Sequence, residues 1–357
     1  MDLSAARAAR YGRAAARWSR LLVSGRSRPG IRVFYGHDRI PAPGERAAGG
    51  SVKMQKLNAR FPNSPTDFSV LYVGTTWVPR DLAPLLRIAR RRGAAIVVNQ
   101  DGVGYPGWAG DRAEEVNRPL RMCLHAADHV VYQSEFSKAS SDLFLGEPAS
   151  SWEILPNAVD VERFAPASAP PDEGPVLLLG GDQTQAYRLE LGIRTLASLT
   201  ASHPSARLLV TGRIVSPLEP LARELGVRDR VHLLGEYDQR SAPGIFRRAH
   251  LLLHTKVKDP CPTLVIEAMA CGLPVVYPAS GGSVELVGDE AGVGVEHPDG
   301  WERDEPPSPD ALAEAIRRVI DDRPRFAAAA RRRAVERFAL EPWLERHAEI
   351  FERVTSR

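Results

Sequence analysis

Asp259 and Glu267 are two carboxylates set eight positions apart within HTKVKDPCPTLVIEAMACGLPVVYPASGGSVELV, residues 254–287. Pro262 carries the fixed φ that suits a first helical position, and Gly272 with Pro274 supplies a stop, so the pattern predicts a short helix between them. A helix start offers unpaired N–H groups and the positive end of its dipole, which suits a phosphate. A carboxylate is a poor phosphate ligand but a good acceptor for sugar hydroxyls. The apolar run Pro274–Tyr277 reads as a buried strand leading to Gly281-Gly282, where a backbone without Cβ atoms can approach a ligand closely. A phosphate seat joined to two hydroxyl acceptors is the chemistry of a nucleotide-sugar site.

A second constellation lies in the first half of the chain. Gly102-Val103-Gly104-Tyr105-Pro106-Gly107 is a literal G-x-G-x-x-G after a strand-like run. Pro106 and Gly107 stand where the helix of a dinucleotide site would be under way, and Asp128 precedes a strand instead of ending one, which argues against that reading. What remains is a glycine-rich loop carrying Asn99, Gln100, Asp101, Tyr105 and Trp108 at the carboxyl edge of a parallel strand, where open α/β sheets bind ligands. Asn99, Asp101, Tyr105 and Trp108 are therefore the candidate acceptor wall, its two aromatics able to stack on a sugar face.

The elements that hold these residues alternate between two periods. Strands are expected at 31–35, 68–73, 94–98 and 128–132, with helices at 80–92 and 111–127 and another opening near Gly49–Lys53. In the second half strands are expected at 176–179, 207–210, 231–234, 250–253 and 274–277. Such alternation gives parallel sheets covered on both faces, and 357 residues exceed one ordinary core. Phe164–Gly174 is rich in Pro and small residues, as an interdomain linker is. Near the end Trp343, Leu344, His347, Ile350, Phe351 and Val354 recur at helical spacing and make one apolar face.

Hydrophobic content of 43% and charged content of 25% are those of a soluble globular protein. No run approaches the ~18 apolar residues of a membrane span, and Arg throughout the first thirty residues breaks any signal-peptide pattern. Cys123, Cys261 and Cys271 lack zinc spacing and suit a reducing cytoplasm. The net charge of +3 is unevenly placed: residues 1–29 hold seven Arg against Asp2. With Leu3, Tyr11, Trp18, Leu21 and Leu22 on one helical side, this tail suits either the surface of an anionic membrane or docking on protein. No nucleic-acid motif accompanies it.

The segment EAMACGLPVV at 267–276 resembles, without a change, the donor-site signature of retaining GT-B glycosyltransferases of family four. The match continues to Asp259, which stands where that E-x7-E pattern has its first Glu. The resemblance implies an α/β GT-B fold of two doubly wound, Rossmann-like parallel-sheet domains facing a cleft. Its divisions would be a basic tail at 1–29, an acceptor domain at 30–165, a linker at 166–175, a nucleotide-sugar domain at 176–337 and a final helix at 338–357 crossing back. Leu155–Asp160 resembles the PNGVD segment that closes the first domain.

By the family's pattern Asp259 binds hydroxyls of the donor sugar and Glu267 those of the ribose, while the amides around Pro262, Thr263 and Leu264 face the diphosphate. Gly49 and Gly50 approach the diphosphate and acceptor; Gly235 and Tyr237 border the base. Gly181 stands where the family has an Arg, and Arg188 replaces the following Lys with a one-residue shift; Lys256, Lys258 and Arg213 are other cations in range. The family's His is absent from 99–101, with His37 and His125 the nearest substitutes. Its front-face mechanism uses the leaving diphosphate as the proton acceptor, so Asp259, Glu267 and Arg188 are the expected catalytic set. No D-x-D is present, and no metal or other cofactor is expected. The implied activity is transfer of a sugar from a nucleotide-sugar to a glycan or lipid-linked acceptor with retention, in glycoconjugate or polysaccharide synthesis, at the cytoplasmic membrane face. A non-catalytic sugar-binding module and an inverting transferase or epimerase on this fold are the alternatives.

Overall fold

The computed structural model describes residues 30–47, 49–169, 171 and 174–356. The basic tail at 1–29 lies outside the described residues. In the first domain β1 (Val33–Phe34), β2 (Val70–Gly74), β3 (Ala95–Gln100), β4 (His129–Tyr132) and β5 (Ser151–Ile154) form an all-parallel sheet in chain order. Between them run α1 (Gly50–Arg60), α2 (Leu82–Arg91), α3 (Ala113–Ala126) and α4 (Glu135–Leu145). Strands β2 and β3 are buried along their whole length. Helices on both faces of a parallel sheet demand this, and it is why they read as unbroken apolar runs.

The second domain repeats the plan with β6 (Val176–Leu179), α5 (Ala186–Thr200), β7 (Arg207–Thr211), β8 (Val231–Gly235), β9 (Leu251–Leu253), α6 (Thr263–Ala270), β10 (Val275–Pro278) and β11 (Gly292–Val295). Its parallel sheet has the order β11-β10-β9-β6-β7-β8. The order reverses between β6 and β9, so the loops leaving these strands part to opposite sides and open a crevice at their carboxyl ends. Gly180-Gly181 leaves one and His254–Asp259 the other.

The chain ends in α7 (Pro309–Asp321), α8 (Arg323–Phe338) and α9 (Leu340–Thr355). The apolar face of α9 packs on the first domain: Trp343, Leu344, Ile350, Phe351 and Val354 share a core with Val33, Tyr35 and Tyr72. The phenol of Tyr72 lies 3.2 Å from Nε2 of His347, and Arg346 and Arg353 reach Glu153 at 2.6 and 2.8 Å. The two interdomain crossings touch where Val159 bridges Ala339 and donates its N–H to the Phe338 carbonyl at 2.8 Å. Strands β5 and β11 were not expected. The first, Ser-Trp-Glu-Ile, is a half-exposed edge, and the second, Gly-Val-Gly-Val, has no continuous apolar run.

Candidate active site

A cleft of about 760 Å³ runs between the domains. Its second-domain wall begins at Gly180-Gly181, continues through His254, Lys256 and Asp259, and ends on the first turn of α6 and Glu267. Helix α6 starts one residue later than expected, at Thr263, with Pro262 in extended conformation as its cap residue. Pro262, Thr263 and Leu264 at its start line the cleft together with Gly180 and Gly181. A Cβ added to Gly180 would lie 2.8 Å from the Leu264 side-chain methyls, so the loop packs closely on the helix and a larger residue here would displace that leucine.

Asp259 and Glu267 both line the cleft, in contrasting electrostatic settings. Burial works against the charge on Asp259, but Lys256, His254 and Arg188 outweigh it and hold the carboxyl well below the usual range. Lys256 Nζ is 3.3 Å from Oδ2, and His254 Nε2 is 3.5 Å from the same atom. Burial pushes the His254 imidazole down toward its neutral form, so Lys256 carries most of the opposing charge. The 3.5 Å contact is poorly directed, and neither ring nitrogen of His254 has a hydrogen-bond partner among the described residues. Glu267 is the reverse case. It is 2% exposed, and burial raises its pKa against the opposing influence of Lys56 and Gln239. Gln239 Nε2 donates to it at 3.0 Å, and Lys56 Nζ lies 3.9 Å away.

Gly281-Gly282 does not approach the ligand space. A Cβ on Gly282 would fall 1.8 Å from the Pro260 carbonyl oxygen, and one on Gly281, at φ +70°, 2.6 Å from that of Asp259. These glycines let β10's exit loop press against the Lys258–Pro260 turn, which Gly282 holds by donating its N–H to Asp259 at 2.9 Å. Lys258 itself adopts φ +50°, unusual for a residue with a Cβ. Its N–H donates to Ser280 Oγ at 3.1 Å.

The cations separate clearly. Arg188 lines the cleft while donating to the carbonyls of Asp182 and Gly180 at 2.8 and 3.4 Å. Lys258 is buried beneath Asp299 and Asp304, each at 3.5 Å. Arg213 is outside the wall and uses its backbone N–H to anchor Asp182 at 2.8 Å. The sequence reading missed Arg46. It reaches from the loop before α1 across the cleft to Asp182 at 3.0 Å and Glu236 at 2.8 Å.

On the first-domain side Gly49, Gly50, Asp101, Tyr105 and Trp108 line the cleft, but Asn99 does not. Asn99 is 1% exposed and accepts from Lys53 Nζ at 2.5 Å and Gln133 Nε2 at 2.9 Å. Asp101 is also paired with Lys53 and held by the Thr76 hydroxyl. Tyr105 donates to Asp304 of the second domain at 3.1 Å. His37 stacks on Trp77 at 3.7 Å, away from the cleft. Tyr237 lines the cleft, whereas Gly235, the preceding strand end at φ +76°, is exposed and outside the lining. Among the described residues no group of three or more His, Cys, Asp or Glu could hold a metal ion, and no helix is long and apolar enough to cross a membrane.

Two α/β domains with all-parallel sheets facing this cleft define the GT-B fold; the order reversal expected of both sheets is present in the second, whereas the described strands of the first run in chain order. A sucrose-phosphate synthase from Thermosynechococcus elongatus shares it with a TM-score of 0.70 at 20% identity, over 92% of this chain and 100% of that one. Residues 160–337 match the glycosyl transferases group 1 and belong to that family. A phosphatidylinositol N-acetylglucosaminyltransferase subunit from Arabidopsis thaliana is 25% identical over 60% of this chain. The match spans 46% of that relative, so the chain accounts for about half its length. A GDP-mannose-dependent alpha-(1-6)-phosphatidylinositol monomannoside mannosyltransferase from Mycolicibacterium smegmatis is 28% identical over 72% of this chain and 69% of its own.

Proposed function

We propose that this protein transfers a sugar from a nucleotide-sugar to a glycan or lipid-linked acceptor with retention of anomeric configuration. The observation that carries the reading is the joint exposure of Asp259 and Glu267 to one cleft, at either side of a helix start that faces the Gly180-Gly181 backbone. In this reading the α6 amides seat the diphosphate. Glu267, oriented by Gln239, accepts from the ribose, and Asp259 with the neighbouring His254 ring binds donor-sugar hydroxyls. Arg188 and Arg46 supply positive charge to the leaving group, commonly the largest catalytic contribution in such a transfer. Arg46 comes from the opposite domain, which ties that charge to cleft closure. The leaving diphosphate takes the acceptor's proton, so the chain supplies no nucleophile. The names of the two relatives support transfer to phosphatidylinositol-type acceptors, and that of the second supports a nucleotide-sugar donor.

The test is turnover of UDP-, GDP- and ADP-sugars followed by NMR of the new anomeric proton, with and without EDTA. Slow release of nucleoside diphosphate and a retained configuration in both conditions are expected. Tight nucleotide binding without release would make the chain a binding module, inverted product would remove it from the retaining class, and loss of activity in EDTA would reveal a metal requirement.

A further inference from the structure

Glu267 of the second domain takes its nearest cation from the first. Lys56 lies on α1 with its side chain 12% exposed, and its Nζ stands 3.9 Å from Oε1 of Glu267. The same ammonium donates to the Ala158 carbonyl at 2.5 Å, one residue before Val159, where the interdomain crossings touch. Lys56 therefore sits at the pivot between the domains, whereas Arg46 spans the cleft itself. Glu267 and Gln239 line the cleft and Lys56 does not. A ligand in the cleft thus meets the carboxylate, and Lys56 acts on that ligand only through it. Gln239, the other partner of Oε1, is fixed in turn, because its carbonyl accepts from Arg163 of the crossing.

We infer that Lys56 is a positioning residue of the nucleotide site, which keeps Glu267 charged and aimed so that it accepts hydrogen bonds from the ribose. The inference rests on the transferase reading of the cleft and deepens it by naming what sustains its ribose acceptor. A carboxyl buried this completely tends toward its protonated form, in which it has gained an O–H donor and lost acceptor capacity. Burial works against the charge of both partners, and each is the strongest opposing influence on the other. Arg163 and Gln239 add less support to the Glu267 charge. The titratable groups that also face Glu267, the Tyr237 phenol and the Cys271 thiol, are held neutral by burial. Around Lys56, Asp160 and Cys261 favour the ammonium and Lys53 opposes it.

The test titrates UDP, GDP and ADP into the full-length wild type, Lys56→Gln and Lys56→Arg by calorimetry from mildly acid to mildly alkaline pH. The 2′,3′-dideoxy analogue of whichever nucleotide binds is run beside it. The amide of Lys56→Gln retains a donor for Ala158 and drops the charge; Lys56→Met supplies a second neutral variant of matching length should the amide loosen the fold. An opposite charge at this range lowers a carboxyl pKa by about 1–3, so its loss should move the acid limb of ribonucleotide affinity up by about one pH unit and weaken binding roughly ten-fold there. The difference should close as pH rises and Glu267 ionises again. Lys56→Arg should restore the wild-type profile, and the dideoxy analogue, with no hydroxyl for Glu267, should bind every protein alike. A loss shared equally by ribo- and dideoxynucleotide, or identical pH profiles in wild type and neutral variants, would overturn the positioning role and leave the nucleotide site standing. A wild type that binds no nucleotide would sink the transferase reading and the inference with it.

Discussion

Replacing Arg46 by Gln should separate binding of the diphosphate from stability of the fold. In the structure its guanidinium joins Asp182 at 3.0 Å and Glu236 at 2.8 Å, with side-chain exposures of 45%, 31% and 44%. Pairs this accessible are each worth ~0–1 kcal/mol, so the melting temperature should move by no more than a few degrees. In the nucleotide complex the same guanidinium would make a charge-assisted hydrogen bond, worth about 1.5–3 kcal/mol, or roughly 10- to 100-fold in Kd. The variant also leaves Asp182 and Glu236 without their counter-charge beside an anionic ligand, which pushes the loss toward the upper end. Calorimetric titration of nucleoside diphosphate and of the bare nucleoside into both proteins, at low and high salt, measures the difference. The expected pattern is a large loss for the diphosphate, a small one for the nucleoside, and a gap that narrows as salt screens the charge. Equal losses for both ligands, or none for either, would refute the reasoning and place Arg46 as an interdomain contact only.

Glu267→Gln should weaken nucleotide binding about ten-fold or more by removing a charged hydrogen-bond acceptor. Burial raises the wild-type pKa, so the folded carboxyl holds its proton more tightly than the unfolded one. The wild type therefore loses stability as pH rises above the ordinary carboxylate range of ~4.3, and the variant should gain relative stability in that direction and none below it; urea midpoints across pH check this. His347 gives the opposite slope. Burial lowers its pKa to about 4, so between the ordinary ~6.5 and that value the unfolded chain takes up a proton that the folded one refuses. Stability should fall by roughly 3 kcal/mol as pH drops through this window, and His347→Gln should flatten that part of the profile.

That Asp259, Pro262 and Glu267 share one wall of the cleft was legible because they sit in one contiguous stretch. Asp259, Pro262 and Glu267 belong to a single turn and helix, so their spacing alone carries their geometry. Arg46 and His254 were illegible for the opposite reason. Arg46 meets Asp182 only because the chain returns to the cleft from 136 residues away in sequence, and a lone His beside a strand carries no pattern. Asn99 and Asp101 were placed at the right sheet edge, but nothing local announced that Lys53, from another helix, would bury both. Gly281-Gly282 shows the same limit. A glycine pair signals a close approach and leaves open what approaches; here it is the protein's own backbone. The strands that escaped the pattern, β5 and β11, are a solvent-facing edge and a glycine-interrupted run, where burial does not impose an apolar sequence.

The docking of α9 on the first domain has a consequence for biosynthesis. Tyr72 and His347, in contact in the finished protein, are separated by 275 residues. A ribosome releases the first domain's sheet long before it makes the helix that covers Tyr35 and Tyr72. The second domain, whose sheet and covering helices α5 to α8 are contiguous in sequence, can complete its core first, although it is synthesised later. The nascent first domain must then wait with an aromatic face open, a state prone to aggregation. Truncation just before Leu340 would make that waiting state permanent, so the loss of sixteen helical residues at one end should compromise the domain at the other.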